Sequence, residues 1–256
     1  MDTDSNLDVM RILKAYLDNP LAKIGIKYLL KKDKKANKTL VELALENLLG
    51  IRKDIPIKVK IAKYMIERTF KTIAKVFKTS VEEIINAFEL PYARRALVSV
   101  LKGITYFGVR KPFVPGAPFL VVWDYTYRCN LRCKHCYIAA GGTHRSEMSI
   151  EERQKALNIL ADAGVTIIAF SGGEPLLGPK IFDMIKMAND YGIYTAMATN
   201  GTLITKDIAQ KLVSAGLKYV QISLDAPIPH VHDEFRGVNG AWKRTIEGIK
   251  NAKKAG

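Results

Sequence analysis

Cysteine is scarce in this chain, whose 256 residues include only three. All three lie within residues 129–136, which read CNLRCKHC. Three clustered thiols give no disulfide framework, which favours a reducing compartment and a metal or catalytic use of the cysteines. The sequence therefore argues against a fold that depends on disulfide bonds.

Long apolar runs are also missing, although the composition is 48% hydrophobic. No stretch approaches the roughly 18 uninterrupted apolar residues of a membrane-spanning helix. The first residues, MDTDSNLD, are acidic and lack the apolar core of a signal peptide. We therefore expect a cytoplasmic protein that is long enough to bury a substantial core.

Acidic residues are too few to balance the basic ones, and the net charge is +15. Residues 1–110 hold 22 Lys and Arg against 12 Asp and Glu, whereas residues 111–256 hold 18 against 13. The basic first segment fits an anionic partner such as nucleic acid, a phosphorylated substrate or lipid headgroups. A solvated, lysine-rich helical surface is the alternative. A peripheral contact with a membrane is accordingly one expectation for residues 1–110.

The first part of the chain has helical patterns. Apolar residues recur at three and four positions in segments 7–17, 39–50, 58–78 and 92–107. Gly50 is the expected C-cap of the second segment. Ser80 and Glu83 have the spacing of a capping box, which predicts another helix start. The charged segment 27–38 is expected to form an exposed turn.

Proline and glycine concentrate in the segment GVRKPFVPGAP, residues 108–118, where no periodic pattern survives. We predict a basic all-α domain over 1–110, a linker over 111–118 and a second domain over 119–256. In the second domain, apolar runs predict strands at 119–123, 164–170, 192–198 and 217–224, the first of them buried on both faces. Helical patterns alternate with them at 149–163, 179–190, 205–215 and 240–255. This alternation predicts an α/β fold of parallel βα units with right-handed crossovers.

A polar loop follows each predicted strand, and the four loops read WDYTYRCN, SGGEP, ATNGT and SLDA. In parallel α/β folds the carboxyl ends of the strands meet at one edge, where the chemistry takes place. The cysteine segment begins in the first of these loops. The sequence therefore predicts one functional site that all four loops build.

The cysteine cluster is compatible with several kinds of site. Soft metals suit clustered thiolates, and a zinc site would take a fourth ligand from His135 or His144. An iron–sulfur cluster usually takes four cysteines. Three would leave one iron open for a substrate or cofactor, as a catalytic zinc ion keeps one open position. Spacing favours the iron–sulfur cluster, with zinc and accidental clustering as the alternatives.

Five ordered motifs resemble those of one family. CNLRCKHC matches the CxxxCxxC signature of the radical S-adenosylmethionine (radical SAM) superfamily, and GGEP at 172–175 matches its second hallmark. ATNGT at 198–202, SLDA at 223–226 and HDEFRG at 232–237 resemble the SPASM/twitch-type branch of peptide- and cofactor-maturation enzymes. The resemblance covers about residues 117–256 and implies a partial parallel (β/α) barrel, preceded here by the all-α domain.

The resemblance also implies a role for individual residues. Cys129, Cys133 and Cys136 would ligate one [4Fe-4S] cluster, whose fourth iron would be chelated by the amino and carboxylate groups of S-adenosylmethionine (SAM). The other residues that the resemblance points to would bind SAM: Gly172, Gly173 and Glu174 at the amino group, Ser223 and Arg236 at the ribose or carboxylate, Asn200 and Asp225 in the same cavity, and His135 and Tyr137 near the adenine.

The chemistry that the resemblance implies is a radical reaction. One electron from the reduced cluster would break the C5′–S bond of SAM, and the 5′-deoxyadenosyl radical would abstract hydrogen from a substrate. An electron donor of the ferredoxin or flavodoxin type and a peptide or cofactor precursor are the implied partners. A metal-stabilised binding protein, whose basic helices contact nucleic acid or an anionic membrane, is the alternative class.

The sequence departs from the family's usual pattern in two ways. We count four βα units instead of the usual six, so the last strand would have an exposed edge. We therefore expect a truncated chain, a fragment or a split gene. No cysteine follows Cys136, so we expect one cluster at most, and any auxiliary cluster would lie beyond Gly256.

Overall fold

The computed structural model describes residues 19–110, 112–141 and 146–256, together with residues 14 and 17. Apart from those two residues, the predicted helix over 7–17 lies outside the described residues, as does His144. The chain forms two compact units. One comprises Met1–Phe119 with Ala163–Thr166, and the other comprises Leu120–Asp162 with Ile167–Gly256.

The described part of the first unit is helical apart from one small hairpin. Its elements are α1 (Pro20–Leu29), β1 (Lys32–Asp33), β2 (Lys38–Thr39), α2 (Leu40–Leu48), α3 (Ile57–Phe77), α4 (Val81–Asn86) and α5 (Pro91–Phe107). The capping box of Ser80 and Glu83 starts α4 and confirms the prediction. Thr39 and Glu42 form a second capping box at the start of α2.

The core of the first unit is built mainly from α2 and α3. Buried residues of α3 recur at three and four positions, as expected of an amphipathic helix: Val59, Ala62, Ile66, Phe70 and Ala74. All but Ala74 belong to one hydrophobic cluster with Leu40, Leu43 and Leu45 of α2 and Val98 of α5. Phe70 also stacks on Phe88, with ring centroids 5.8 Å apart. Burial of this face leaves the other side of α3 exposed.

The segment predicted as one exposed turn, 27–38, is instead the end of α1 followed by the β1–β2 hairpin. Asn19 caps α1 by accepting a hydrogen bond from the Leu21 N–H, and Pro20 occupies the first turn. In the hairpin, Lys32 pairs with Thr39 in antiparallel register. The Asp33 carboxylate accepts hydrogen bonds from the Lys35 and Ala36 N–H groups and so shapes the loop. The many charged residues of this segment predicted an exposed turn, and they gave no indication of the strand pairing or of the hydrogen bonds to Asp33.

The second unit contains a four-stranded parallel sheet, which confirms the predicted α/β fold. Strands β3 (Leu120–Thr126), β4 (Ile167–Gly172), β5 (Tyr194–Thr199) and β6 (Tyr219–Ile222) lie side by side in sequence order. The connecting helices are α6 (Ile150–Ala163), α7 (Ile181–Asp190) and α8 (Lys206–Ala215), and α9 (Pro229–Arg236) and α10 (Ala241–Ala255) follow β6. Helix α9 was not predicted as an element. It begins with Pro229 and ends on Gly237 in the left-handed conformation.

The two faces of the sheet differ in burial. On one face, Ile168 and Phe170 are fully buried. On the other, Val122 pairs in register with Ala169, and Val122 is 59% exposed. The prediction that the first strand is buried on both faces is therefore wrong. Leu120 and Val122 project from the open face of the sheet, whereas Tyr125 and Thr126 at the end of β3 are both buried.

None of the helices within the described ranges combines the length and the apolar composition that crossing a membrane requires.

Candidate active site

A cavity of about 250 Å³ lies where the four strands of the second unit end. Each strand or its following loop contributes lining residues, so the predicted convergence of four loops at one edge is found. The lining residues are Cys129, Leu131, Cys133, His135, Cys136, Tyr137, Ala140, Ser171, Gly172, Gly173, Ala198, Thr199, Asn200, Ser223 and Arg236. The cavity thus collects all three cysteines with polar groups from the other loops.

Ten of the twelve residues singled out from the sequence line this cavity. The exceptions are Glu174 and Asp225, which are not among the lining residues. Glu174 is fully buried. The carboxylate of Asp225 accepts a hydrogen bond from Nε of Arg236, which does line the cavity. Both acidic residues therefore contact lining residues: Glu174 contacts Thr199 and Asn200, and Asp225 contacts Arg236.

Each cysteine is a free, half-buried thiol whose sulfur accepts one hydrogen bond. Backbone N–H groups serve two of them: Leu131 N lies 3.4 Å from Sγ of Cys129, and Ala140 N lies 3.3 Å from Sγ of Cys136. Burial raises the pKa of the Cys129 thiol, which is the ordinary effect of an apolar environment on an unligated thiol.

The cysteine loop is held against the end of α9 by backbone hydrogen bonds. Arg132 N donates to the Arg236 carbonyl at 2.9 Å, and Lys134 N donates to the Phe235 carbonyl at 3.0 Å. Gly237 follows with a φ of 69°, and a Cβ there would lie 2.4 Å from the Arg132 carbonyl oxygen. The glycine of the HDEFRG motif is therefore required for this close approach.

Aromatic rings occupy the outer side of the cysteine loop. The His135 ring stacks on Phe235, with centroids 4.5 Å apart and planes at 8°. The Tyr137 hydroxyl donates to Asp124 at 2.9 Å, while 76% of the residue is exposed. One face of His135 is thus already covered, which leaves the other face for any further ring.

Gly172 and Gly173 bring the second loop against the segment that precedes Cys129. Gly173 N donates to the Thr126 carbonyl at 2.7 Å. A Cβ on Gly172 would lie 2.5 Å from that oxygen, and a Cβ on Gly173 would lie 2.2 Å from the Arg128 carbonyl oxygen. No side chain fits at either position. The two glycines are needed here for contact between two loops of the protein itself.

The Glu174 carboxylate joins the ends of β4 and β5. It accepts hydrogen bonds from the Thr199 hydroxyl at 2.8 Å, from Asn200 N at 3.0 Å and from Leu176 N at 3.2 Å. Burial raises the pKa of Glu174, and the hydrogen bonds oppose that rise. The carboxylate is therefore positioned to fix the β5 loop, and it does not face the cavity.

Asn130 extends this network into the cysteine loop and was missed by sequence reasoning. Its Oδ1 accepts from Nδ2 of Asn200 at 2.9 Å, and its Nδ2 donates to the Thr202 hydroxyl at 2.8 Å. The Asn200 Oδ1 accepts from Thr202 N at 2.9 Å. An amide side chain directly after the first cysteine was the available signal. The network fixes Cys129 relative to β5.

A buried ion pair supports the start of the cysteine loop. Arg153 is 2% exposed, and its Nη2 lies 2.9 Å from Oε2 of Glu147. Oε1 of Glu147 accepts from the Thr126 hydroxyl at 2.8 Å and from Tyr127 N at 2.7 Å. Although burial acts to raise it, these bonds lower the pKa of Glu147. The pair holds the chain as it leaves β3.

The sulfur arrangement suits a group of several atoms better than one ion. A single zinc ion needs ligand atoms that converge to within about 2.3 Å of one point. Over the ranges that the structure describes, no three His, Cys, Asp or Glu side chains converge in that way. The three cysteines instead surround a cavity of about 250 Å³. The donor set of three thiols with N–H groups on the sulfurs fits an iron–sulfur cluster.

The chain resembles known proteins over its second part. It is 39% identical over 140 residues to an AdoMet-dependent heme synthase of Methanosarcina barkeri, and the alignment covers 54% of this chain and 40% of that protein. It is 31% identical over 140 residues to the mycofactocin maturase MftC of Mycobacterium tuberculosis, covering 55% of this chain and 36% of the other. The chain therefore spans well under half the length of these curated relatives.

A solved structure shares the fold. Streptococcus suis SuiB bound to S-adenosylmethionine superposes with a TM-score of 0.52 at 19% sequence identity, covering 85% of this chain and 48% of that one. The pattern of the Radical SAM superfamily matches residues 123–256, which is just over half of the chain. On this match and on the cavity with its three cysteines, the chain belongs to the radical SAM superfamily, whose members use a [4Fe-4S] cluster and S-adenosylmethionine.

Proposed function

We propose that Cys129, Cys133 and Cys136 hold one [4Fe-4S] cluster and that the cavity beside them binds SAM. The observation that carries this proposal is the placement of all three half-buried sulfurs around one cavity. When bound, the cluster supplies an electron for reductive cleavage of SAM, which starts hydrogen abstraction from a substrate. The protein's own contribution is to place and orient the two groups.

Different lining residues would bind different groups of SAM. Ser223 and Arg236 are the polar groups for the ribose or carboxylate of SAM, and a guanidinium suits a carboxylate. Backbone carbonyls beside Gly172 and Gly173 serve the amino group. The free face of His135, with Tyr137 nearby, serves the adenine. Asn200, Asp225 and Glu174 hold neighbouring groups in position through the hydrogen bonds described above.

The substrate class that we propose is a precursor in cofactor or peptide biosynthesis, and a tetrapyrrole is favoured. The heme synthase relative is 39% identical and the peptide maturase is 31% identical. The sheet face that continues from Ala198 is also apolar: Val122, Ala169, Ala196 and Tyr219 lie in register across it. A row with two alanines suits a flat, apolar group. A peptide is the second candidate for the same surface.

The electron donor that we propose is a small redox protein of the ferredoxin or flavodoxin type. The cysteine loop carries the cations that an acidic donor would meet, because Arg132 and Lys134 are both exposed. Lys134 is paired with Glu234 at 2.6 Å, which leaves Arg132 as the stronger attraction. Mutation of a rim charge mainly changes the association rate and its salt dependence.

Anaerobic reconstitution tests the proposal. The chain loaded with iron and sulfide should bind about four irons, as a [4Fe-4S] cluster requires, and should form 5′-deoxyadenosine from SAM when dithionite is added. Cys133→Ala should abolish both results, whereas Cys133→Ser tests whether an oxygen ligand retains part of the iron. Full iron binding with no cleavage of SAM would contradict the proposed activity. A tetrapyrrole such as Fe-coproporphyrin III or a peptide pool, added separately, should identify the substrate class by raising the yield of 5′-deoxyadenosine.

We also propose that the first unit contacts an anionic membrane surface through one stripe of α3. The stripe consists of Ile57, Ile61, Tyr64, Arg68, Lys71 and Lys75, all exposed and spaced at three and four positions. Ile57 and Tyr64 are 73% and 63% exposed. Buried apolar area and electrostatic attraction to anionic lipids together determine binding to a membrane surface, and this stripe offers both exposed apolar side chains and exposed cations.

Vesicle flotation tests the membrane contact. The triple variant R68Q/K71Q/K75Q should lose binding to phosphatidylserine vesicles. The control variant K206Q/K211Q/K243Q removes three charges from exposed positions of the second unit and should keep binding. Equal loss in both variants would show a general charge effect and contradict the stripe. Binding to RNA but not to vesicles would favour a nucleic acid as the partner.

A further inference from the structure

The three cysteine sulfurs differ in the kind of hydrogen bond that they accept. Sγ of Cys129 and Sγ of Cys136 accept from backbone N–H groups at 3.4 Å and 3.3 Å. Sγ of Cys133 accepts from Nη1 of Arg236 at 3.6 Å. In the described part of the chain, Cys133 alone among the three has a charged donor on its sulfur. Side-chain substitution can remove that donor without removing a ligand.

Burial and hydrogen bonds hold Arg236 in this orientation. The residue is 7% exposed, and its Nε donates to Oδ2 of Asp225. The Asp225 N–H in turn donates to Nδ1 of His232 at 3.3 Å, and His232 is fully buried. A guanidinium keeps its positive charge in proteins, and this one contacts both Asp225 and the sulfur of Cys133. The guanidinium therefore remains a fixed cation beside one sulfur.

We propose that Arg236 raises the reduction potential of the [4Fe-4S] cluster through its hydrogen bond to Cys133, and that Asp225 limits this effect. The inference deepens the proposed function, because it rests on ligation of the cluster by the three cysteines. Reduction adds one negative charge to the cluster. A nearby cation stabilises the reduced form more than the oxidised form, and hydrogen bonds to the sulfurs set cluster potentials. The negative charge of Asp225 acts in the opposite direction.

Two substitutions should therefore shift the potential in opposite directions. Arg236→Gln removes the cation and should lower the potential. Asp225→Asn keeps an oxygen that can accept from Nε of Arg236 but removes the negative charge, and it should raise the potential. Arg236→Lys keeps a charge in the same place and should give the smaller decrease. A role that is only structural does not produce shifts of opposite sign.

Arg132→Gln is the matched control. Arg132 is a cation of the cysteine loop and precedes Cys133 directly, but its Nη1 donates to the carbonyl oxygens of Cys129 and Leu131 at 2.9 Å and 2.8 Å. It is exposed, whereas Arg236 is buried. Removing the same charge from Arg132 should leave the potential nearly unchanged, because solvent screens the charge and no sulfur loses its donor.

Potentiometric titration followed by electron paramagnetic resonance tests the proposal on reconstituted protein without SAM, with iron content measured in parallel. At a fixed potential, Arg236→Gln should reduce the ratio of reduced to oxidised cluster by about tenfold, which is about 59 mV for a one-electron couple. If Arg236→Gln retains no iron, the reduction potential of Asp225→Asn decides: an increase supports the inference, and a decrease overturns it. Unchanged potentials in both variants, or shifts of the same sign, would overturn the inference. Failure of the unmodified chain to bind iron would instead refute the proposed function.

Discussion

Replacement of Gly237 by alanine tests how α9 holds the cysteine loop. Gly237 has a φ of 69°, and a Cβ added there would lie 2.4 Å from the Arg132 carbonyl oxygen. That oxygen belongs to the backbone, so it cannot rotate away as a flexible side chain would. The cysteine loop must therefore move away from α9 or the helix end must unwind. Either change separates the Arg132 and Lys134 N–H groups from their acceptors in α9.

The expected decrease in the free energy of unfolding has two parts. An alanine in the left-handed region costs about 1–2 kcal/mol wherever it occurs. Loss of two backbone hydrogen bonds costs about 1–3 kcal/mol more, at about 0.5–1.5 kcal/mol for each bond. We therefore expect Gly237→Ala to lower the free energy of unfolding by about 2–5 kcal/mol. The displaced loop should also retain less iron after reconstitution.

Gly240→Ala supplies the control for backbone strain alone. Gly240 has a φ of 75°, and a Cβ there would meet only the flexible end of Arg244, at 3.2 Å. Gly240→Ala should lower the free energy of unfolding only by the cost of an alanine in the left-handed region, about 1–2 kcal/mol. The variant should retain its full iron content. Urea unfolding and iron analysis of both variants measure the difference. Equal destabilisation, or full iron retention in Gly237→Ala, would refute the role of Gly237 in holding the loop.

Two further predictions concern pH. The pKa of Glu147 is lowered from 4.5, so the contribution of this residue to the free energy of unfolding is present above pH 4.5 and is lost as the pH falls through the folded pKa. Glu147→Gln should lower the free energy of unfolding by about 3 kcal/mol at pH 7. In urea titrations the variant should also show a weaker loss of stability in acid. Burial and the neighbouring Arg236 lower the pKa of His232 from 6.5, so stability should fall as the pH drops below 6.5. His232→Gln should flatten the stability profile between pH 7 and about pH 5. An unchanged profile in either variant would contradict the corresponding argument.

The sequence was sufficient for most of the second unit because its signals are local and repeated. Apolar runs and helical patterns alternate along the chain, and the observed elements lie within about three residues of the predicted ones. The exceptions have physical reasons. The first strand was predicted to be buried on both faces, but Leu120 and Val122 are more than half exposed, because in the described part of the chain that face of the sheet is open, as the 55% exposure of Tyr219 in the same row also indicates. Burial depends on neighbours that a single run of residues does not specify.

The sequence motifs predicted which residues line the site. Nine of the ten predicted residues that line the cavity come from the cysteine loop and the three other strand-end loops, and Arg236 comes from α9. Side-chain direction was not predictable. Glu174 points into the protein towards Thr199, and Asp225 faces Arg236. Asn130 and Gly237 act through contacts between segments about 70 and 105 residues apart, and no periodicity within one segment reports such contacts.

The central claim is that three cysteines hold a cluster with one iron left open for SAM. Electron paramagnetic resonance of the reduced, reconstituted chain, with and without SAM, tests it most directly, because a ligand on the open iron changes the spectrum of the cluster. With about four irons bound per chain, addition of SAM should change the signal clearly. A spectrum that stays the same at full iron content would contradict the claim.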